Sequence, residues 1–482
     1  MKYPFVFVQN PFKMYYETVK RLRVSVKGQL TLSTPSEINQ KPTNEAIFGK
    51  PRLNTACRNQ CIASFNTLDD ILPKDHLARL VWEYVQSLDL SIILGKILAV
   101  KNHAGRPATD PKILLALWLF ATIKSIGSSR LIEEYCQEHD AFKWICGGVN
   151  INYHTISDFR SNNRDQLDAL LTMSVAALAN AEIITLEKIS QDGMRVRASA
   201  GTSSFRREPT IEMQYELAKA LVEDIKEEEK KRPGACKKRL AAAELHAAED
   251  RLNRLAQAKS ELEKIRNEKI AYAKKEYKKI DSKELEKIRV SMTDPEARIM
   301  KMACSGYRPA YNVQFASTNK GKAIIAVDVS NKGADNNLLG SMLDKVVQTY
   351  KVIPQKWFVD GGYDSHDELN KVEAKYETCK VYMPVKITSK NQNNPYLKQP
   401  KDSKIVGEWR ERMGTVEAKE LYRERGATAE FVNAAARNRG FQQFNVRGIE
   451  KAKCVALIFA LTHNMVLQIG CGGFDLLQLI GS

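Results

Sequence analysis

The stretch Leu186-Glu187-Lys188-Ile189-Ser190-Gln191-Asp192-Gly193-Met194-Arg195-Val196-Arg197-Ala198 decides the fold. Within it, Met194, Val196 and Ala198 alternate with Gly193, Arg195 and Arg197, and a period of two describes a strand with one buried face. Downstream the reading continues with strands at 310–317 and 323–329, and then a helix over about 336–350. A short apolar strand at 356–360 is closed by Gly361-Gly362, another lies at 381–385, and helix returns from about 408. Three strands, helix, strand, helix, strand and helix make a mixed α/β sheet.

Upstream of that stretch the period is helical. Asp110-Pro111 reads as a cap followed by proline at the first helical position. Ile113, Leu114, Leu117, Trp118 and Ala121 then recur at helical spacing until Gly127, and Ser128-Ser129 opens another helix with Leu131, Ile132 and Tyr135 inside. After Gly147-Gly148, a short helix over 154–163 carries Arg160, with Arg164 just beyond, and a longer helix runs over 165–181. Helix, turn and short basic helix is the layout of a helix-turn-helix reader, and it makes Arg160 and Arg164 candidate DNA contacts.

Residues 1–60 are weakly patterned, with Pro35, Pro42 and Pro51 among polar residues, and read as a flexible leader. The chain is thus expected to divide into this leader, a helical DNA-binding domain at 61–183, a sheet domain at 184–470 and a tail at 471–482. Between the first and second strands, the segment 205–295 is dense in Glu, Lys and Ala. Leu217, Leu221 and Ile225 mark one helix there, Pro233-Gly234 ends it, and Ala241, Leu245, Ala248, Leu252, Leu255 and Leu262 mark a second. This is an inserted antiparallel helical hairpin.

Composition narrows the partners. Lys and Arg number 74 against 57 Asp and Glu, a formal net charge of +17, which suits a polyanion such as nucleic acid. The nine cysteines are scattered. An odd count argues against a closed disulfide framework, and Cys57 and Cys61 lack the second pair that a zinc site needs. The start at 1–16 does not form a clean signal peptide, because Gln9, Asn10 and Pro11 break it. The most apolar run, 452–469, contains Thr462, His463 and Asn464 and suits a buried helix better than a membrane span. The expected location is the cytoplasm, on the nucleoid, with no membrane partner.

Phosphodiester cleavage and strand transfer use two divalent metals, one to activate the nucleophile and one to stabilise the leaving oxygen. Magnesium takes carboxylate oxygens, so such a site needs a few acids converging from different elements. Asp192 on the first strand, Asp360 at a strand end beside two glycines, and Glu430 on a late helix fit that need. Asp364 reads as a turn residue and helix cap, Asp335 as the cap of the helix at 336, and His366 as a surface residue.

Several of these stretches together resemble the DDE transposases of bacterial insertion sequences. Residues 189–200 are similar to their first-aspartate strand, 306–314 to their second strand, and Trp357-Phe358-Val359-Asp360-Gly361-Gly362-Tyr363-Asp364-Ser365 to their second-aspartate motif. Tyr422, Arg425, Glu430 and Arg437 resemble the family's Tyr-Arg-Glu-Lys signature, with arginine at the lysine position and one extra residue between Arg425 and Glu430. Phe444-Asn445-Val446-Arg447-Gly448 and the helix with Thr462-His463-Asn464 continue the likeness, which runs over about 70–470.

The resemblance implies an RNase H-like catalytic domain in which Asp192, Asp360 and Glu430 are catalytic and hold two Mg²⁺ or Mn²⁺ ions. It also implies that Tyr422, Arg425 and Arg437 contact DNA phosphates. The implied activity is cleavage at terminal inverted repeats and transfer of the 3′-hydroxyl into target double-stranded DNA, by a homodimer or higher assembly on that DNA. Two alternatives stand beside it: an RNase H-like nuclease without strand transfer, and a catalytically silent DNA-binding descendant.

Overall fold

The computed structural model describes residues 67–97, 107–231, 235–275, 281–303, 306–387 and 394–472. The leader with Cys57 and Cys61, the Pro233-Gly234 turn and the tail beyond 472 lie outside the described residues. Helices α1 (Leu77–Ser87), α2 (Ser91–Leu94), α3 (Pro111–Ile123), α4 (Ser129–Glu138), α5 (Asp140–Cys146), α6 (Tyr153–Asn162) and α7 (Arg164–Asn180) come first. Their ends follow local chemistry. The Asp110 carboxylate accepts from the Lys112 N–H with Pro111 at the first position, and the Asn152 amide oxygen accepts from Thr155 N. Gly147, at φ +58°, ends α5 in the left-handed conformation that glycine adopts most easily. Helix α3 is buried along nearly its whole length and all round, so it serves as the central rod of this bundle.

The sheet follows. Strand β1 (Lys188–Arg197) leads through the ribbon strand β2 (Phe205–Arg206) into helices α8 (Glu208–Lys231) and α9 (Ala235–Lys275). The chain then passes the short α10 (Ser282–Glu286) and returns through β3 (Val290–Ser291), which pairs antiparallel with β2. Next come β4 (Arg298–Lys301), β5 (Tyr307–Thr318), β6 (Ile324–Ser330), α11 (Leu339–Tyr350), β7 (Lys356–Phe358), α12 (His366–Lys375) and β8 (Lys380–Tyr382). Helices α13 (Lys404–Gly414), α14 (Val416–Asn438) and α15 (Ile449–Gly472) close the chain. The sheet order is β4-β5-β1-β7-β8, with β6 also on β5. Strand β5 is antiparallel to β1, β4 and β6, whereas β7 is parallel to both β1 and β8. Strands β4 and β6 share one edge of β5, β4 meeting 307–310 and β6 meeting 312–317.

Three details differ from the sequence reading. Strands β2, β3 and β4 were not expected, since two to four residues are too few to display a period. Helix α11 starts at Leu339 because Asn337, at φ +64°, turns the chain first; Asp335 therefore caps nothing there. In α8, Leu217 and Leu221 are exposed and the packed side carries Ile211, Ala218 and Val222, so the leucine spacing marks the outer face. Helix α9 does pack through Ala248, Leu255 and Leu262.

Helix α15 is long and apolar enough to cross a membrane, yet 72% of its apolar window is buried within the protein. Its polar residues explain why it lies against the sheet. The buried Asn464 amide accepts from Ile324 N (2.9 Å) and donates to Ile324 O (2.8 Å), completing the outer edge of β6 as a neighbouring strand would. His463 Nε2 lies 2.9 Å from Lys322 O, and burial pushes its pKa down to about 4. The Asn464→Leu variant keeps similar volume and orphans both backbone groups. It is expected to lose about 2–4 kcal/mol of stability in urea denaturation, from two buried groups left unpaired. A midpoint equal to that of the parent protein refutes this edge-completing role.

Candidate active site

Parallel pairing of β1 with β7 matches Lys188 to Lys356, Ile189 to Trp357 and Ser190 to Phe358. Two residues beyond the last pair on each strand stand Asp192 and Asp360. Register thus carries both acids to the end of the β1–β7 ladder, across one strand spacing. Past Phe358 the chain leaves the ladder, and Asp360 caps a tight turn at Gly361–Tyr363, its carboxylate accepting from Gly362 N at 2.8 Å.

Asp192 is the more enclosed of the two. Its Oδ1 accepts from Arg425 Nη2 (3.0 Å) and its Oδ2 from Asn433 Nδ2 (2.8 Å). The same Arg425 nitrogen lies 4.0 Å from Asp360 Oδ2, so one guanidinium bridges both acids. Burial raises the Asp192 pKa to about 6; Arg425 works against that rise, and the charges of Asp360 and Asp335 add to it. Tyr422, one turn before Arg425 on α14, donates to Val359 O at 3.0 Å and fastens this helix to the end of β7.

Behind the acids lies a buried polar layer. Gln191 donates to Gln314 Oε1 (2.9 Å) and Leu338 O (3.1 Å), and accepts from Trp357 Nε1 (3.1 Å). Gln314 in turn accepts from the Tyr363 hydroxyl and donates to Asp335 Oδ1 (2.8 Å), which also accepts from Asn312 (2.7 Å). The glycines follow from this crowding. A Cβ on Gly193 would stand 2.5 Å from Asp335 Oδ1 and 2.8 Å from Asn312 Oδ1; one on Gly362 would stand 2.9 Å from Asp360 Oδ1. Asp335 is therefore a carboxylate between the Asp192 strand and the Asp360 turn. Sequence reasoning missed it together with Asn433, because neither sits in a pattern that separates it from turn or surface polars.

The other sequence candidates fall in different places. Glu430 is exposed on α14. Its side chain faces solvent, while Arg425 and Asn433 on the same helix meet Asp192. Arg437 is also exposed. Arg160 is only 4% exposed, stacked 4.1 Å over the Trp118 ring, with Nη1 donating to Gly127 O; the burial of this part of α6 faces it inward. Arg164 pairs with Asp165 and with Glu450 on α15. His366 is exposed. Asp364 pairs with Lys386 at 3.1 Å, and the cap of α12 is Ser365.

As a donor set for a divalent metal, Asp192 and Asp360 fit: both offer hard carboxylate oxygens around one shared cation, which here is Arg425. Glu430 is not brought to them, and among the described residues no group of three or more His, Cys, Asp or Glu side chains gathers closely enough to hold a metal.

Two family models match. Residues 66–162, spanning α1 to α6, match the model described as Transposase domain (DUF772), and residues 360–467, from Asp360 through most of α15, match the Transposase DDE domain. The second match contains Asp360, Glu430 and Arg437, while Asp192 lies between the two. No curated protein and no solved structure gives a significant match. A transposase domain match in its helical first part and a DDE transposase domain match from the second aspartate onward are consistent with an insertion-sequence DDE transposase.

Proposed function

We propose that the protein binds insertion-sequence ends as double-stranded DNA, cleaves a strand there and joins the freed 3′-hydroxyl to target DNA. Asp192, Asp360 and Glu430 would hold two Mg²⁺ or Mn²⁺ ions. The observation that carries this reading is the adjacency of Asp192 and Asp360 just past the parallel β1–β7 ladder, around one guanidinium. The sheet supports an RNase H-like reading: three antiparallel strands, β6-β5-β1, continue into the parallel β7 and β8, with the first acid on the central strand. The net charge of +17 suits phosphate binding in the cytoplasm, on the nucleoid, by two or more protomers.

Bound divalent ions supply an activated oxygen nucleophile and charge for the leaving oxygen. The chain's own residues do the positioning. Asn433 and the Gly193 N–H fix the two oxygens of Asp192, and Arg425 offsets its charge. Asp335, held by Asn312 and Gln314, places a further carboxylate close to Gly193 and Gly362. The exposed Arg437 is suited to a DNA phosphate. Glu430, exposed one turn before Asn433 on α14, would have to swing inward to join the two aspartates.

Cleavage of a labelled terminal fragment tests the assignment. Asp192→Asn, Asp360→Asn and Glu430→Gln are each expected to lower metal-dependent cleavage on the order of a hundredfold or more, since ligand and nucleophile placement fail together. Asp364→Asn should retain it. Full cleavage by Asp360→Asn or Glu430→Gln removes that residue from the site. Analysis of joined against hydrolysed products separates strand transfer from simple nuclease action.

The raised Asp192 pKa gives a second test. The folded value of about 6 lies above the unfolded carboxylate value. The group's stabilising contribution is therefore fully present below about pH 4 and lost as pH rises through about 6. In metal-free buffer, Asp192→Asn should melt at or above the parent at pH 7.5 and lose that advantage at pH 4.5, by up to about 3 kcal/mol. Millimolar Mg²⁺ at pH 7.5 should raise the melting temperature of the parent and leave Asp192→Asn unmoved. Equal Mg²⁺ shifts in both proteins would place the ion elsewhere.

A further inference from the structure

A cavity of about 320 Å³ lies between α3 and α6 on one side and the α14–α15 turn on the other. Its polar lining consists of Arg160, Arg439, Thr122, Ser125, Gln443 and Asn445, and no Asp or Glu lines it. Phe441, Ile458 and Phe459 form an apolar floor. Gln443 and Asn445 are exposed, so the cavity communicates with solvent.

The two arginines are short of partners. Arg160 is buried with a single hydrogen bond, from Nη1 to Gly127 O, and its Nε has none. Arg439 Nη1 is likewise buried without a partner. Among the described residues neither arginine pairs with a carboxylate. Burial lowers the pKa of both, that of Arg160 to about 10.

We propose that this cavity is an anion site that takes the phosphate of a nucleotide, its sugar and base lying over the apolar floor. A buried guanidinium with idle N–H groups carries a desolvation cost that an anion relieves. The site offers two such groups with side-chain hydroxyls and amides around them and nothing that repels an anion. Its size exceeds the needs of a bare phosphate and meets the lower end of pockets that enclose a whole small molecule. The nucleotide comes either from a DNA strand end or from the free pool. The strand-end source rests on the transposase reading; the anion site itself does not.

Binding of dAMP to the metal-free protein, followed by calorimetry and thermal shift, tests this without any cleavage step. The parent should bind dAMP, and inorganic phosphate more weakly. Arg439→Gln should weaken dAMP about tenfold or more, as loss of a charge-assisted hydrogen bond does. Gln443→Trp, at an exposed position, should block the cavity while leaving the ligand-free melting temperature in place, which keeps the test sound if Arg439→Gln folds poorly. Asp192→Asn should bind dAMP as the parent does. Competition by a 5′-phosphorylated single strand, and not by its unphosphorylated form, identifies the strand-end source; competition by neither identifies the free nucleotide. The proposal is overturned if the parent binds no dAMP, phosphate or oligonucleotide, or if both cavity variants bind dAMP like the parent. Loss of dAMP binding in Asp192→Asn alone would put the ligand at the carboxylates, overturning the cavity site and leaving the transposase reading intact.

Discussion

Everything around the candidate site answers one constraint: a carboxylate, Asp192, is enclosed on the central strand just past its ladder with β7, with two more carboxylates close by. Burying a charge costs free energy unless opposite charge and hydrogen bonds offset it. The fold supplies both from the helix that crosses the sheet end, through Arg425 and Asn433. That requirement fixes how α14 lies, and Tyr422 holds the same helix to the end of β7. The polar layer of Gln191, Gln314 and Tyr363 then lets acids stand on a sheet whose remaining inward residues, such as Met194, Val313 and Trp357, are apolar. Buried networks of this kind favour one arrangement over its neighbours, because each member left unpaired is costly.

The long strands were legible because their chemistry is periodic. Met194, Val196 and Ala198 declared one face of β1, and the aspartate-glycine pairs marked where backbone must pass close to something. The capped helices were legible too, from Asp110-Pro111 and Gly147. What stayed hidden is what depends on tertiary approach. Asp335 looks like any cap beside Asn336, and only the fold sets it between Gly193 and Gly362. Arg160 looks like a surface cation on a short helix, and only the packing of α6 turns it onto Trp118. Leu217 and Leu221 keep helical spacing, yet spacing cannot say which face is covered. Glu430 was named by its resemblance to a motif; that its side chain faces solvent is a matter of how α14 packs.

The same logic of polar groups in apolar surroundings recurs on α15. Its length and mean hydropathy would allow a membrane span, and Asn464 would be costly there. Against the open edge of β6 the residue serves instead as a substitute strand, satisfying one donor and one acceptor. The helix touches α3, α6 and α7 on one side and β6 on the other, which gives the helical part and the sheet a common wall.

The ribbon of β2 and β3 sits at the root of the α8–α9 arm, so the chain enters and leaves that arm through neighbouring strands. For the folding chain this changes distances that matter. Strand β1 must find β5 across roughly a hundred intervening residues, a loop whose closure is entropically unfavourable. With the small cluster of Ile211, Ala258, Leu262, Ile288 and Val290 closing the base of the arm, a formed arm leaves most of that loop already contracted. A formed arm is thus a clasp: a local hairpin that brings the two halves of the central β1–β5 ladder within reach of each other, so that a long-range pairing behaves like a nearby one.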